Sequence, residues 1–322
     1  MSTIKIVTVI CWIVSALVLA GLVIWFLTGA VFGSWGSNWF SGISIRGFEN
    51  LTGPFTSQNV QRVDPANISS LNINWVAGEV TVIPHDGDEI ILTEFAQRTL
   101  SDYERFRVNT DGGSLTVRFR ERGNVINNMP SKNLEILVPR ELSEDLSRLA
   151  LNTTSGSVKI EGFEAITVNI STVSARVDIM NIVSQHIDIN TTSGAITAAS
   201  IRAGVLDTST VSGSTELSDS LVTTLNISTT SGRINAAGEL DRVDVNTVSG
   251  STTIRSLIVP GRINISSISG GTTVYIPHPG EISVSHTAVS GRFSSEVPVL
   301  MQSNASYSFS SVSGNTSIHV IG

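Results

Sequence analysis

The chain has 322 residues with a net charge of -7, and only 15% of them are charged and 6% aromatic. Lys5, Arg46 and Glu49 are the only charges in residues 1–50, so residues 51–322 hold 18 Lys+Arg against 26 Asp+Glu and carry -8. That sign, with no basic patch, excludes an ordinary nucleic-acid binder, and a lone cysteine, Cys11, excludes an intrachain disulfide.

Ile6 to Leu27 is a run of 22 residues without a charge. As a helix it would span about 33 Å, which matches a bilayer core. It is longer than the apolar region of a cleaved signal peptide, and the ten residues before Cys11 are too few for a lipoprotein signal. The expectation is one uncleaved transmembrane helix within residues 1–30. Lys5 precedes the run and nothing basic comes soon after it, so the positive-inside rule places the N-terminus in the cytoplasm and the rest outside. Trp25, Phe26, Phe32, Trp35, Trp39 and Phe40 cluster at the exit, as an aromatic belt or a Gly/Ser-punctuated linker would. Residues 31–66 read as a juxtamembrane linker, with Leu51 to Ala66 as loop.

Residues 67–148 read as irregular coils that cap one end of a longer repeat array. Leu71 and Ile73, a turn at Ala77-Gly78, then Val80 and Val82 give two alternating apolar pairs about a glycine. Phe106/Val108, Gly112-Gly113 and Leu115/Val117 repeat that layout, with Ile90–Thr93 and Leu134–Val138 as extra strands between copies. The dense charge from Arg98 to Arg122 reads as a solvated face.

Residues 149–322 are regular. Ser-Gly recurs at Ser155, Ser193, Ser212, Ser231, Ser249, Ser269, Ser290 and Ser313, with one copy altered to Ser174-Ala175. From Ser155 onward the spacings are 19, 19, 19, 19, 18, 20, 21 and 23 residues. Six and four residues before the serine lie apolar pairs such as Leu149/Leu151, Ile187/Ile189, Leu225/Ile227 and Val243/Val245, and a second pair often comes after the glycine. Period-two alternation argues strands with one buried face. Each copy is therefore strand, turn, strand, turn. So short a unit cannot offset the entropy of its own ordering and is stable only when stacked on its neighbours. The fold expected is all-β: a parallel β-solenoid with coils of about 19–20 residues.

Within that frame the glycine serves a positive φ or a close backbone approach, and Ala175 must avoid the first or carry strain. Thr153, Thr172, Thr191, Thr210, Thr229 and Thr247 align as a structural hydroxyl ladder at the corner. The rival reading is a regular polar surface for glycan or ice.

Chemistry-bearing motifs are missing. His85, His186, His278, His286 and His319 form no spaced metal set, and phosphate-loop, dinucleotide and nucleophile-elbow fingerprints do not occur. Asp178, Asp188, Asp207 and Asp244 could project from neighbouring coils, as a polysaccharide-cleaving β-helix would need, but they are scattered among repeat positions, and surface or corner roles are the plainer reading. No catalytic, cofactor-binding or metal-binding residue is expected.

The recurring apolar-Asn/Asp-apolar, Thr-Thr/Val-Ser-Gly and short strand, over residues 71–322 and strongest over 149–275, resembles the prokaryotic "putative adhesin" family of β-strand repeats, a domain of unknown function. The resemblance implies a β-solenoid in a cell envelope, sometimes linked with envelope-stress systems, and brings no catalytic residues. The expected role is adhesion or scaffolding, non-catalytic, through an envelope protein or glycan partner. The alternatives are a signalling accessory protein and a polysaccharide-active enzyme.

Overall fold

A computed structural model describes residues 52–120, 129–278, 282–301 and 303–321. The expected transmembrane helix, Cys11 and the aromatic cluster from Trp25 to Phe40 lie outside the described residues. Among the described residues no helix is long and apolar enough to cross a membrane. These residues belong to one compact unit, and it is all-β, with nineteen strands hydrogen-bonded into one sheet.

The centre is the regular part. Strands β8 (Leu146–Ser193), β9 (Ile196–Ser212), β10 (Thr215–Ser231) and β11 (Ile234–Ser249) run through their corners almost unbroken. Each pairs in parallel with the next, one repeat apart: Ile187 lies beside Leu206, Leu206 beside Leu225, and Leu225 beside Val243. The apolar pairs read from the sequence form continuous interior columns, with Ile187, Ile189, Leu225, Val243 and Val245 fully buried. Both hydrogen-bonding edges of an interior rung are taken up by its neighbours, while one face of each strand turns to the core and the other outward.

The Ser-Gly corners fall in one file, and the need for glycine is mainly close approach. A Cβ on Gly213 would come within 2.0 Å of the carbonyl oxygen of Gly194, and one on Gly232 within 1.9 Å of that of Gly213. Gly250 and Gly270 also take positive φ, 141° and 136°, whereas Gly194, Gly213 and Gly232 do not. Ala175 avoids positive φ and buries its methyl completely, so it carries no left-handed strain. The other corner has no Ser-Gly repeat, although Gly238, with a φ of 152°, sits there beside Ser220. Asn181, Ser200 and Asp219 occupy the left-handed region there, with φ of 54°, 54° and 48°, a conformation that Asn and Asp tolerate better than most residues.

The first rung is β2 (Ser70–Asn74) with β3 (Ala77–His85), and it rests on β8 with Leu71 beside Leu149 and Val80 beside Val158. Its other side is covered by β6 (Ser114–Arg118) and β7 (Lys132–Pro139), with Leu71 beside Leu115 and Val80 beside Leu134. The rung that comes later in sequence is therefore the outer one. This corrects the expected coil of Phe106 to Val117: Leu115 and Val117 belong to the first-strand column, and β5 (Arg107–Asp111) folds back antiparallel on β6 as a hairpin about Gly112-Gly113. Two further antiparallel strands close this end, β4 (Ile90–Ala96) on β7 and β1 (Thr56–Val63) on β4. Residues 56–63, expected as loop, are thus a strand. Their pattern is polar because they form an outer edge with little to bury.

The far end mirrors this exchange. Strands β12 (Thr252–Ser256), β13 (Arg262–Ser269) and β14 (Thr272–Ile276) continue the stack from β11. The next rung in space is β18 (Ser306–Ser313) with β19 (Thr316–Val320), which pair with β13 and β14. Strands β15 (Ile282–Ser290) and β16 (Phe293–Ser295) lie outside them, on β18 and β19. The glycine file records the same order: a Cβ on Gly314 would strike Gly270, and one on Gly291 would strike Gly314. Strand β17 (Val299–Leu300) touches only the start of β15.

Candidate functional surface

On each first strand the residues between the buried apolar pair point outward. In register these are Asp188, Asp207, Asn226, Asp244 and Asn264. Side-chain amides tie the carboxylates: Asn190 Nδ2 donates to Asp188 Oδ1 at 2.8 Å, Asn226 Nδ2 to Asp207 Oδ1 at 2.6 Å, and Asn264 Nδ2 to Asp244 Oδ1 at 3.0 Å. His186 Nε2 lies 3.4 Å from Asp207 Oδ2. Burial raises the Asp188 carboxyl above its usual range, the bond from Asn190 opposes that, and the neighbouring Asp207 charge adds to it.

Of the four aspartates singled out from the sequence, Asp188 and Asp207 meet as register partners, Asp244 lies further along the same column, and Asp178 sits on a second strand beside Thr197. Two carboxylates flanking a glycosidic bond must face each other across a gap. Asp188 and Asp207 instead project from one face of one sheet, each committed to an amide. The arrangement is a hydrogen-bonding ladder, suited to contact and not to acid–base work.

The threonine column is interior. Thr153, Thr172, Thr191, Thr210, Thr229 and Thr247 are all buried, and Thr172 Oγ1 donates to Thr191 Oγ1 at 2.9 Å. The column is structural but not a continuous hydroxyl ladder, since among the described residues the hydroxyls of Thr210, Thr229 and Thr247 have no hydrogen-bond partner; a glycan or ice surface built on these hydroxyls does not fit, because they face the core.

At the corner of Asn181, Ser200 and Asp219 a shallow groove of about 490 Å³ crosses several rungs. Val183, Arg202, Leu221 and Glu239 line it as successive register partners, with Leu257 beyond. Leu221 is 43% exposed and Leu257 59%. Sequence reasoning missed this groove, since its residues fall between the repeat motifs.

The charge expected as a solvated face divides: Asp102 and Asp111 are exposed, Arg98, Arg105, Arg107 and Arg118 half-buried, and residues 121–122 lie outside the described residues. Glu104 and Arg120 are buried, and so are Glu94 and Lys132, which lie on the facing strands β4 and β7. Lys132 Nζ sits 2.6 Å from Glu94 Oε1, donates to the backbone carbonyls of Glu104 and Phe119, and lies over the Phe119 ring at 4.0 Å. Trp75 Nε1 donates to the Lys132 carbonyl at 2.7 Å, and the Trp75 ring meets Phe119 edge to face. Burial pushes the Lys132 ammonium down to about 8, with the Glu94 carboxylate opposing the shift; burial likewise pushes Glu94 up against Lys132. For Glu104 burial acts upward, but hydrogen bonds from Arg98 and Ser101 outweigh it and hold the carboxyl at about 2. Every charged atom of the central pair is answered inside the protein, which makes this cluster a structural plug for the closed end. Among the described residues no group of His, Cys, Asp and Glu is placed to hold a metal ion.

A family model described as Toastrack DUF4097 matches residues 68–274, more than half of the chain. No curated protein matches. Among solved structures, one from Parabacteroides distasonis named "putative adhesin" aligns with a TM-score of 0.52 at 10% identity, over 84% of this chain and 98% of that one. A "putative lipid binding protein" from the same organism aligns at 0.49 and 15% identity over 82% and 96%. A "putative adhesin" from Bacteroides fragilis aligns at 0.45 and 13% identity over 82% and 96%. At 10% identity the first of these speaks to fold alone.

Proposed function

This chain belongs to the Toastrack DUF4097 family, and from that premise we propose that it is a non-catalytic binding module of a prokaryotic cell envelope, working in adhesion or as a scaffold. The apolar run Ile6–Leu27 is its single-pass anchor, with the N-terminus in the cytoplasm and the β-solenoid outside. The observation that carries the binding reading is the outward ladder of Asp188, Asp207, Asn226, Asp244 and Asn264. It repeats carboxylate and amide groups at the spacing of adjacent strands, about 4.8 Å, along a sheet already rigid. Such a surface suits a polymer that presents hydroxyls at regular intervals, so an envelope glycan is the partner class it favours. The name given to one similar fold, "putative adhesin", supports that reading.

Retention of the protein on purified envelope polysaccharide tests it. Wild type is expected to be retained, and the paired change Asp207→Leu with Asn226→Leu to abolish retention while leaving the thermal melt in place. Equal retention of the two, or none by wild type, would sink the glycan reading. The groove at Leu221 favours a second reading, docking of an envelope protein in a signalling role. A photo-reactive residue at Leu221 that traps one protein in intact membranes would support that instead.

A further inference from the structure

The two ends of the stack are finished differently. At one end β5, β4 and β1 run antiparallel across the last rungs, and Trp75, Phe106 and Phe119 are completely buried. At the other end, among the described residues, nothing comparable lies over β15 and β16. Interior rungs bury the inner first-strand positions almost fully, as at Ile263, Ile265, Tyr307 and Phe309. The outermost rung repeats those columns with Val284, His286 and Ala288, and continues with Phe293, and all four are only half-buried. Val289 is 67% exposed and Met301 fully exposed beside them. Among the described residues, β17 covers Ile282 and Ser283 alone, so the outer backbone edge from Val284 to Ser290 has no ladder partner.

Whatever covers this end must supply strand hydrogen bonds and also an apolar cross-section of the same outline. A single extended peptide supplies only the first. A rung of this same solenoid supplies both, and the one such rung left open among the described residues is this end of another copy. We infer that two copies pair end to end through β15 and β16 across a two-fold axis, an isologous contact. The axis runs β15 antiparallel to its copy. Centred on Thr287, the free stretch sets His286 opposite Ala288, which keeps those inward residues facing inward. This inference is independent of the ladder face and of what that face binds.

The test uses the full chain in detergent or nanodiscs, with Cys11→Ser to leave no native thiol. Thr287→Cys is expected to form a disulfide-linked dimer on mild oxidation, while Asp111→Cys, at the hairpin of the closed end, stays monomeric. In sedimentation the parent is expected at twice the mass of Ala288→Lys, whose inward lysine blocks the edge as lysines do on natural edge strands. A monomeric parent overturns the inference, as does a dimer that Ala288→Lys leaves intact, or Thr287→Cys linking no faster than Asp111→Cys. If Ala288→Lys fails to give the parent circular dichroism spectrum, the pair of cysteine variants decides.

Discussion

Residues in the glycine file are constrained by the backbone one rung away. Gly213→Ala places a Cβ where the Gly194 carbonyl already sits, so the corner has to spread or the ladder has to slip. The expected loss is about 3 kcal/mol or more, in the range reserved for overpacking and strain. Ala175→Gly touches a corner that already avoids positive φ, and the expected loss is only about 1 kcal/mol, from the methyl and from backbone entropy. Chemical denaturation of the two variants checks the contrast, and similar losses would mean that close approach does not govern the file. Glu104 gives a pH-dependent counterpart. Its folded pKa lies below the ordinary value of 4.5, at about 2. The stability it contributes is therefore complete above 4.5 and is lost as pH falls from there towards 2. Glu104→Gln should be less stable than wild type at neutral pH, with the gap closing over that interval. Melts at stepped pH read this directly, and a gap independent of pH would refute the role of the carboxylate.

Elements at the closed end depend on a buried charge pair. Lys132 on β7 and Glu94 on β4 are both inaccessible to water, and removing one partner strands the other. Lys132→Met is expected to cost about 3–5 kcal/mol, and adding Glu94→Gln to recover part of it, since a neutral amide needs no counter-charge. A double-mutant cycle in urea measures the coupling; additive losses would show that the pair does not act together. At this scale the sequence was partly legible. Period-two columns such as Ile187/Ile189 and the 19-residue return of Ser-Gly dictated strands and their parallel register, because identical rungs have no better neighbour than each other. The plug was illegible, since Glu94, Glu104 and Lys132 are polar letters far apart in sequence that only the antiparallel strands bring together. The corner at Asn181, Ser200 and Asp219 was also hidden, because three different residues satisfy one backbone conformation there. For the candidate surface, the aspartates were visible, but the bonds from Asn226 to Asp207 and from Asn264 to Asp244 were not, since they exist only once adjacent rungs are in register; Asn190 reaches Asp188 within its own strand.

Over the whole described unit, rung order departs from chain order at both ends. Residues 70–85 sit inside 114–139, and residues 306–320 sit inside 282–295. Deleting residues 306–322 therefore removes an interior rung, not a fringe. It uncovers Ile263, Ile265 and Val274 on one side and leaves β15 and β16 with nothing to pair against. Limited proteolysis of the truncated chain should cut first within 282–305, with a loss of strand signal in circular dichroism larger than the deleted length explains. Continued protection of 282–300 would mean that the segment finds another seat.

The same inversion constrains how the polypeptide is made. Residues 282–300 emerge from the ribosome before the strands on which they finally rest, so on arrival they have either to wait unpaired or to occupy the place on β13 and β14 that residues 306–320 will later claim. A chain halted shortly before residue 306 is thus offered an incorrect neighbour, and where 282–300 takes that place, maturation requires a displacement step in which late-arriving strands slip between two earlier ones.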